Sequence, residues 1–201
     1  ISGIPHAAKS KTHVLRILNP GAADSFITVE VVSKDGRYVP VGLDNKKVLA
    51  GKVADISFDF DSKQTSLGLK ITSDQPIAAA VFSKVKAKGK SDFVWSTPVA
   101  PNITGTWAIT GLDPKLVIAG SEIHVSLTLM KSNGKKVSTK FSGSDIYTYQ
   151  IPSGTIAIKL DSIANGNAAA LIVNSQSGTG YLPLLNGSEK TRSTVPTANI
   201  G

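Results

Sequence analysis

Cysteine is missing from this 201-residue sequence. The chain therefore has no thiol for a disulfide or a soft-metal site, and its stability has to come from packing. Only three histidines are present, at His6, His13 and His124, so a metal centre built on histidine is not expected. The sequence also lacks a Gly-x-Ser-x-Gly elbow, a phosphate-binding glycine loop and a His-Glu-x-x-His pair. It thus predicts no catalytic residue, no cofactor and no metal, and we expect a protein that is not an enzyme.

Charged residues make up only 18% of the chain, and no apolar run approaches the roughly 20 residues that a membrane-spanning helix needs. No signal-peptide pattern begins at Ile1, so we expect the chain to come from a longer or anchored precursor. The charges are unbalanced, because 22 Lys and Arg face 14 Asp and Glu and give a net charge of +8. Such a surface attracts anionic polymers and also keeps a protein in solution.

Glycine and proline are frequent, with 18 and 10 copies, and they separate short stretches in which apolar and polar residues alternate. Alternation with a period of two predicts a half-buried strand, and Gly or Pro between such stretches predicts a tight turn. Residues 12–18 alternate and stop at Pro20, and residues 26–32 alternate and lead to Asp35-Gly36, which is a strong hairpin signal. The predicted fold class is therefore all-β.

Residues 54–61 alternate most cleanly, with Ile56, Phe58 and Phe60 predicted to face a core. The opposite face carries Asp55, Asp59 and Asp61. Three carboxylates suggest calcium, but alternate residues of a strand hold such ligands apart, and a solvated strand face is the favoured interpretation. His13 and His124 are likewise interpreted as polar residues on the outward faces of strands.

Two stretches of the chain share one pattern of residues. Residues 67–82 and 156–172 each alternate around a lysine, break at a turn and continue into three consecutive alanines. Residues 106–114 are interpreted as the counterpart of residues 12–20. The small alanine side chains predict a place where two sheets approach closely.

This internal similarity predicts two tandem immunoglobulin-like β-sandwich units, the first over residues 12–101 and the second over residues 102–190. Residues 1–11 are predicted to be a lead-in or linker, and residues 191–201 a tail or linker.

Several motifs resemble those of an uncharacterised family of actinobacterial extracytoplasmic β repeat domains. The motifs are an Asn-Pro-Gly turn at residues 19–21, an Asp-Gly hairpin at 35–36, residues 48–51, the triple-alanine strand at 74–81, and the Asp-x-x-Trp-x-x-Pro end at 92–98. They are turns and core strands, and they cover the first unit more fully than the second. The resemblance implies a secreted or cell-surface setting and supplies no site residues.

Two groups of residues are candidates for binding. Lys84, Lys86, Lys88 and Lys90 occupy every second position, so an extended segment would carry all four on one face, where they would bind an anion or protect an exposed strand edge from aggregation. The aromatic residues that could form a flat contact surface for carbohydrate are Tyr38, Trp95, Trp107, Tyr147, Tyr149 and Tyr181.

Three hypotheses of function follow. The leading one is a non-catalytic structural and interaction module of the cell envelope, whose partners are other envelope or surface proteins, including further copies of the same unit. The alternative is a binding module for an anionic or carbohydrate polymer, with no specific nucleic-acid partner and no membrane span. An enzyme of unknown type is the third.

Overall fold

The structure is a computed structural model that describes residues 1–5, 13–58, 66–87, 90–98, 104–163, 168–174 and 179–184. All regular elements in these residues are β-strands, and their pairings are antiparallel, so the predicted all-β class is confirmed. Within this described part, no helix is long and apolar enough to cross a membrane.

The first set of strands comes from residues 1–98 and is called the first unit. Its strands are β1 (Ile4–Pro5), β2 (His13–Leu18), β3 (Ser25–Ser33), β4 (Gly36–Tyr38), β5 (Lys46–Val48), β6 (Val53–Phe58), β7 (Ser66–Ser73), β8 (Ala78–Ala87) and β9 (Lys90–Ser96). Sheet A has the order β1-β7-β3-β4, with β5 also paired to β3, and sheet B has the order β6-β2-β8-β9. Leu15 and Ile17 of sheet B share one buried cluster with Val29 and Val31 of sheet A, so the two sheets enclose a common core.

The second set, called the second unit, forms one bent sheet, sheet C. Its strands are β10 (Gly105–Ala108), β11 (Leu112–Lys131), β12 (Lys136–Gln150), β13 (Thr155–Ile163), β14 (Ala168–Asn174) and β15 (Thr179–Pro183). Strand β11 pairs with β14 before the register shift between Gly120 and Ile123 and with β13 after it, while β12 follows β11 on both sides of the shift. Leu116 and Leu127 lie on the two sides of this shift and in one buried cluster, so the halves of sheet C face each other.

The strand pairings of the two units follow one order. The first part of β11 lies between β12 and β14 as β2 lies between β6 and β8, and the second part lies between β12 and β13 as β3 lies between β4 and β7. Strands β8 and β14 therefore correspond, and their alanine triplets take corresponding places: Ala79 pairs with Ile17 and Ala169 pairs with Ile118. That each unit is an immunoglobulin-like sandwich remains a prediction.

Two expectations differ from the structure at the starts of the units. Residues 1–5, expected to be part of a lead-in, contain β1, which pairs with β7 and has a fully buried Ile4. The sequence predicts that residues 106–114 are the counterpart of the strand at residues 12–20. Instead, β10 ends at Ala108 and pairs with β13 as β1 pairs with β7, because strand β11, which begins at Leu112, takes the place of β2.

Candidate interaction surface

The outer face of sheet B carries several exposed apolar side chains close together. Strand alternation turns Leu15 and Ile17 of β2 into the core, and the residues between and beside them point outward. This exposed face of sheet B consists of Val14, Arg16, Leu18, Val53, Asp55, Ser57, Ala78, Ala80, Phe82, Lys84, Phe93 and Trp95, which register places opposite one another. Isolated exposed apolar residues need no explanation, but a contiguous group of them marks an interaction site.

Three aromatic rings form the centre of this face. Phe82 stacks on Phe93 with ring centroids 4.8 Å apart, and it meets Trp95 at 5.0 Å in a tilted arrangement. Phe93 and Trp95 remain 53% and 46% exposed. Rings held against each other in this way are fixed in position while their outer surfaces stay in water, which suits them to contact a partner.

An ion pair lies beside the rings. Arg16 donates two hydrogen bonds to the carboxylate of Asp55, from Nε at 2.7 Å and from Nη2 at 2.6 Å. The Arg16 guanidinium also lies 5.8 Å from the centre of the Trp95 ring, within cation–π distance. The hydrogen bond with Arg16 lowers the pKa of Asp55, so both groups stay charged at neutral pH. The face therefore combines apolar contact area with one fixed polar pair.

The lysines predicted to share a face are divided between two strands. Lys84 is partly buried near the end of β8, and Lys90 begins β9, where it pairs with Ala87. Lys88 lies outside the described residues, and so do the side chains of Lys86 and Lys90. Strand β8 pairs with β2 only as far as Ser83, whereas Lys84 and Lys86 pair with β9, so the lysines lie beyond the part of β8 that β2 flanks and their role as an edge guard or an anion site stays a prediction.

The predicted aromatic residues do not share one surface. Trp107 is 8% exposed and belongs to the core of the second unit, whereas Trp95 is exposed on sheet B. Tyr147 and Tyr149 are partly buried and stack on Phe141, with centroids 4.4 and 5.5 Å apart. Tyr38 packs against the core of the first unit. Sequence reasoning missed Phe82 and Phe93. Strand alternation could have placed Phe93 on the face of Trp95, whereas the position of Phe82 depends on the pairing of β8 with β9.

A second surface joins the two units and is called the junction. Val32, at the end of β3, lies in one buried cluster with four residues of the second unit: Val117, Ala119, Ile146 and Ile172. Beside it, Ser2 donates a hydrogen bond from Oγ to the carbonyl of Val117 at 3.2 Å. Gly68 packs so closely that a Cβ built there would lie 2.9 Å from the Cβ of Ala119. The first unit therefore sits on an outer sheet face of the second.

Polar contacts surround this apolar centre. Arg37 forms an ion pair with Asp145, donates a hydrogen bond to the carbonyl of Gly120 at 2.7 Å and lies 3.5 Å from Glu30. On the other side, the hydroxyl of Tyr181 donates to the carbonyl of Thr97 at 3.0 Å. Burial raises the pKa of Tyr181. The junction thus has a buried centre with polar partners around it, as protein interfaces do.

The two histidines and the three aspartates considered in the sequence lie in different environments. His124 is exposed beside Glu122, with 3.3 Å between Nε2 and Oε1, as its outward interpretation predicts. The same interpretation is wrong for His13, which is buried and shares a hydrogen bond of 2.9 Å with Ser83. Asp59 and Asp61 lie outside the described residues, and Asp55 is held by Arg16. In the part of the chain that the structure describes, no three acidic or histidine side chains are grouped to hold a metal ion.

The fold and the junction define an all-β protein in which antiparallel sheets are packed face to face. The model of a family of unknown function, DUF5719, matches residues 1–143, and the chain belongs to that family. The match spans the whole first unit and continues through β10 and β11 into β12, so it crosses the junction. The expected membership of an uncharacterised family is thereby confirmed. No curated protein matches the chain.

Proposed function

We propose that this chain is a non-catalytic structural and interaction module of the cell envelope or cell surface, built of two tandem immunoglobulin-like β-sandwich units. The junction carries this proposal. A module that spaces or presents other parts has to hold its units in one orientation, and interfaces between domains move unless they are apolar and well packed. Here Val32 is buried against the second unit and Arg37 bonds to two groups of it.

The matching order of strand pairings supports the tandem arrangement. Both units place a triple-alanine strand between two neighbours in the same order, although their sequences differ at most positions. The extracytoplasmic setting is supported by the resemblance of the turn and core motifs to extracytoplasmic repeat domains. The absence of cysteine fits a bacterial envelope protein that is stabilised by packing.

The orientation of the units can be measured directly, because a chain without cysteine accepts two spin labels at chosen places. Thr72 in the first unit and Lys140 in the second are both exposed and suit replacement by cysteine. Pulsed electron paramagnetic resonance is expected to give one narrow distance distribution. A matched sample with Val32→Asp and Arg37→Ala should give a broad distribution. A broad distribution in the unmodified background would contradict a fixed arrangement.

The setting needs its own test. Fractionation of cells that make the native protein, followed by detection with a specific antibody, should recover it from the envelope or the medium. Recovery from the cytoplasm alone would remove the envelope part of the proposal and leave the structural part in place.

A second candidate function is binding of a carbohydrate or anionic polymer, and the exposure of Phe93 and Trp95 beside Arg16 favours it. Aromatic rings on a flat sheet face can stack on sugar rings. Electrophoresis in gels that contain polysaccharide should then retard the protein, and Trp95→Ala should remove the retardation. Trp107→Phe is the matched control, because Trp107 lies in the core.

A further inference from the structure

The exposed face of sheet B in the first unit corresponds to a sheet face that is covered in the second unit. The alanine pairs fix the correspondence, since Ile17 with Ala79 matches Ile118 with Ala169. Counted outward from these pairs, the residues of the exposed face of sheet B correspond to residues of the second unit in this order: Arg16 to Val117, Leu18 to Ala119, Val53 to Ile146, Phe82 to Ile172, and Trp95 to Tyr181.

In the second unit this face is covered. Ala119 and Ile146 are each 8% exposed, because the end of the first unit packs on them through Val32. In the first unit the same face is still apolar but lies in water, with Leu18 at 39% and Val53 at 56% exposure. Apolar residues suited to a buried interface therefore occur at positions that none of the described residues covers.

From this we infer that the exposed face of sheet B is a docking surface for the end of another β-sandwich unit, seated as the first unit is seated on the second. The inference rests on the proposed structural function and names the partner of that module. The contact would join two different surfaces, an end and a face, so it extends into a head-to-tail array instead of closing into a symmetric dimer.

Charge specifies the partner further. Arg37 at the end of the first unit meets Asp145, which precedes Ile146 at the edge of the covered face. The corresponding residue beside Val53 is Lys52, which is exposed and whose carbonyl accepts a hydrogen bond from Asn19. The partner unit should therefore carry an acidic side chain at the place of Arg37, since two like charges at this contact would oppose docking.

The end of the second unit that contains the hairpin between β11 and β12 has most of the features expected of the partner. At that end Met130 of β11 pairs with Ala157 of β13, as Val32 of β3 pairs with Gly68 of β7 at the end of the first unit. Lys136, however, pairs with Met130 as Arg37 pairs with Val32, so Lys136 takes the place of Arg37 and would face Lys52. Two lysines would therefore meet if a second unmodified copy of this chain docked, which opposes that association, and one substitution should favour it.

The test uses the complete 201-residue chain and Lys136→Glu as the probe. Sedimentation velocity over a range of concentrations is expected to find the unmodified chain monomeric. The Lys136→Glu chain should associate at least tenfold more strongly, and high salt should weaken this association. Lys140→Glu makes the same change of net charge on an exposed position away from the hairpin and should remain monomeric.

Two double variants locate the contact. Adding Lys52→Glu to Lys136→Glu restores like charges and should abolish association, and adding Leu18→Asp should do the same by placing a charge in the apolar face. A monomeric Lys136→Glu chain, or association that survives Leu18→Asp, would overturn the inference. Association of the unmodified chain through this face would overturn the charge requirement, and polysaccharide binding that Trp95→Ala abolishes would assign the face to a glycan instead. The spin-label distance tests the junction independently of all these outcomes.

Discussion

Arg37 and Asp145, which are 108 positions apart in sequence, form an ion pair across the junction between the two units. Both side chains are about three-quarters removed from solvent, with 23% and 25% of their surface exposed. Arg37 also donates to the carbonyl of Gly120, so its guanidinium bonds to the bend of sheet C as well as to the carboxylate. One side chain of the first unit thereby connects to two neighbouring strands of the second.

Arg37→Ala is expected to lower the free energy of unfolding by about 1 to 3 kcal/mol, because hydrogen bonds to charged groups are lost where water replaces them poorly. Arg16→Ala is the matched control, since Arg16 also forms a short pair but is 52% exposed. That variant should cost less, because water screens an exposed pair. Urea denaturation measures both, and equal losses would show that the junction pair adds nothing beyond a surface pair.

Gly68→Ala should destabilise the protein by about 1 to 3 kcal/mol through overpacking. The added Cβ would lie 2.9 Å from the Cβ of Ala119 and 3.3 Å from the carbonyl oxygen of Ile1, and neither atom belongs to a flexible side-chain end. Gly143→Ala is the control, because its nearest neighbour is an ordinary contact at 3.4 Å from Tyr147. If both variants melt at the temperature of the unmodified protein, the junction is looser than described.

Ala169→Leu should cost about 1 to 3 kcal/mol, because Ala169 is fully buried between the halves of sheet C and has no room for a larger side chain. Ala79, its counterpart, packs partly against the core of the first unit and should respond in the same direction. Ala78 is exposed on the other face of β8, and Ala78→Leu should leave the denaturation midpoint unchanged. A loss at Ala78 as large as that at Ala169 would contradict this register.

The unfolding free energy should fall as the pH rises above about 10, the usual pKa of tyrosine. Burial raises the pKa of Tyr181 in the folded protein, so folding favours the neutral hydroxyl. The resulting contribution of Tyr181 to the free energy of unfolding is complete at pH values below the pKa of the unfolded chain. As the pH rises toward the folded pKa, unfolding releases a proton and this contribution is lost. Tyr181→Phe should make the alkaline decrease shallower than it is in the unmodified protein. Identical pH curves for Tyr181→Phe and the unmodified protein would contradict a raised pKa of Tyr181.

Local patterns predicted the strands well, because apolar and polar residues alternate along a strand that has one buried and one exposed face. Asp55 and Ser57 face outward and Phe58 faces the core, as the alternation requires. The hairpins at Gly36 and Gly134 form at positive φ angles of 115° and 82°, which glycine adopts without strain. In each case the signal lies within a few residues.

The junction could not be predicted from local patterns. Val117 and Ile172 alternate like outward residues of any strand, and only the packing of a distant unit buries them. His13 has the same periodicity as a core residue, and its polarity suggested the outer face, but a hydrogen bond to Ser83 satisfies it inside. The pair of Arg37 and Asp145 depends on tertiary structure alone.

The most direct test of this account compares two corresponding positions in the two units. Val53 on the exposed face of sheet B is 56% exposed, and its counterpart Ile146 beneath the junction is 8% exposed. The chain has no cysteine of its own, so the rate of maleimide labelling of Val53→Cys and of Ile146→Cys reports each position separately. Fast labelling of Val53→Cys and strong protection of Ile146→Cys is the predicted result. Equal, fast labelling of both folded variants would contradict the end-on-face packing of the units.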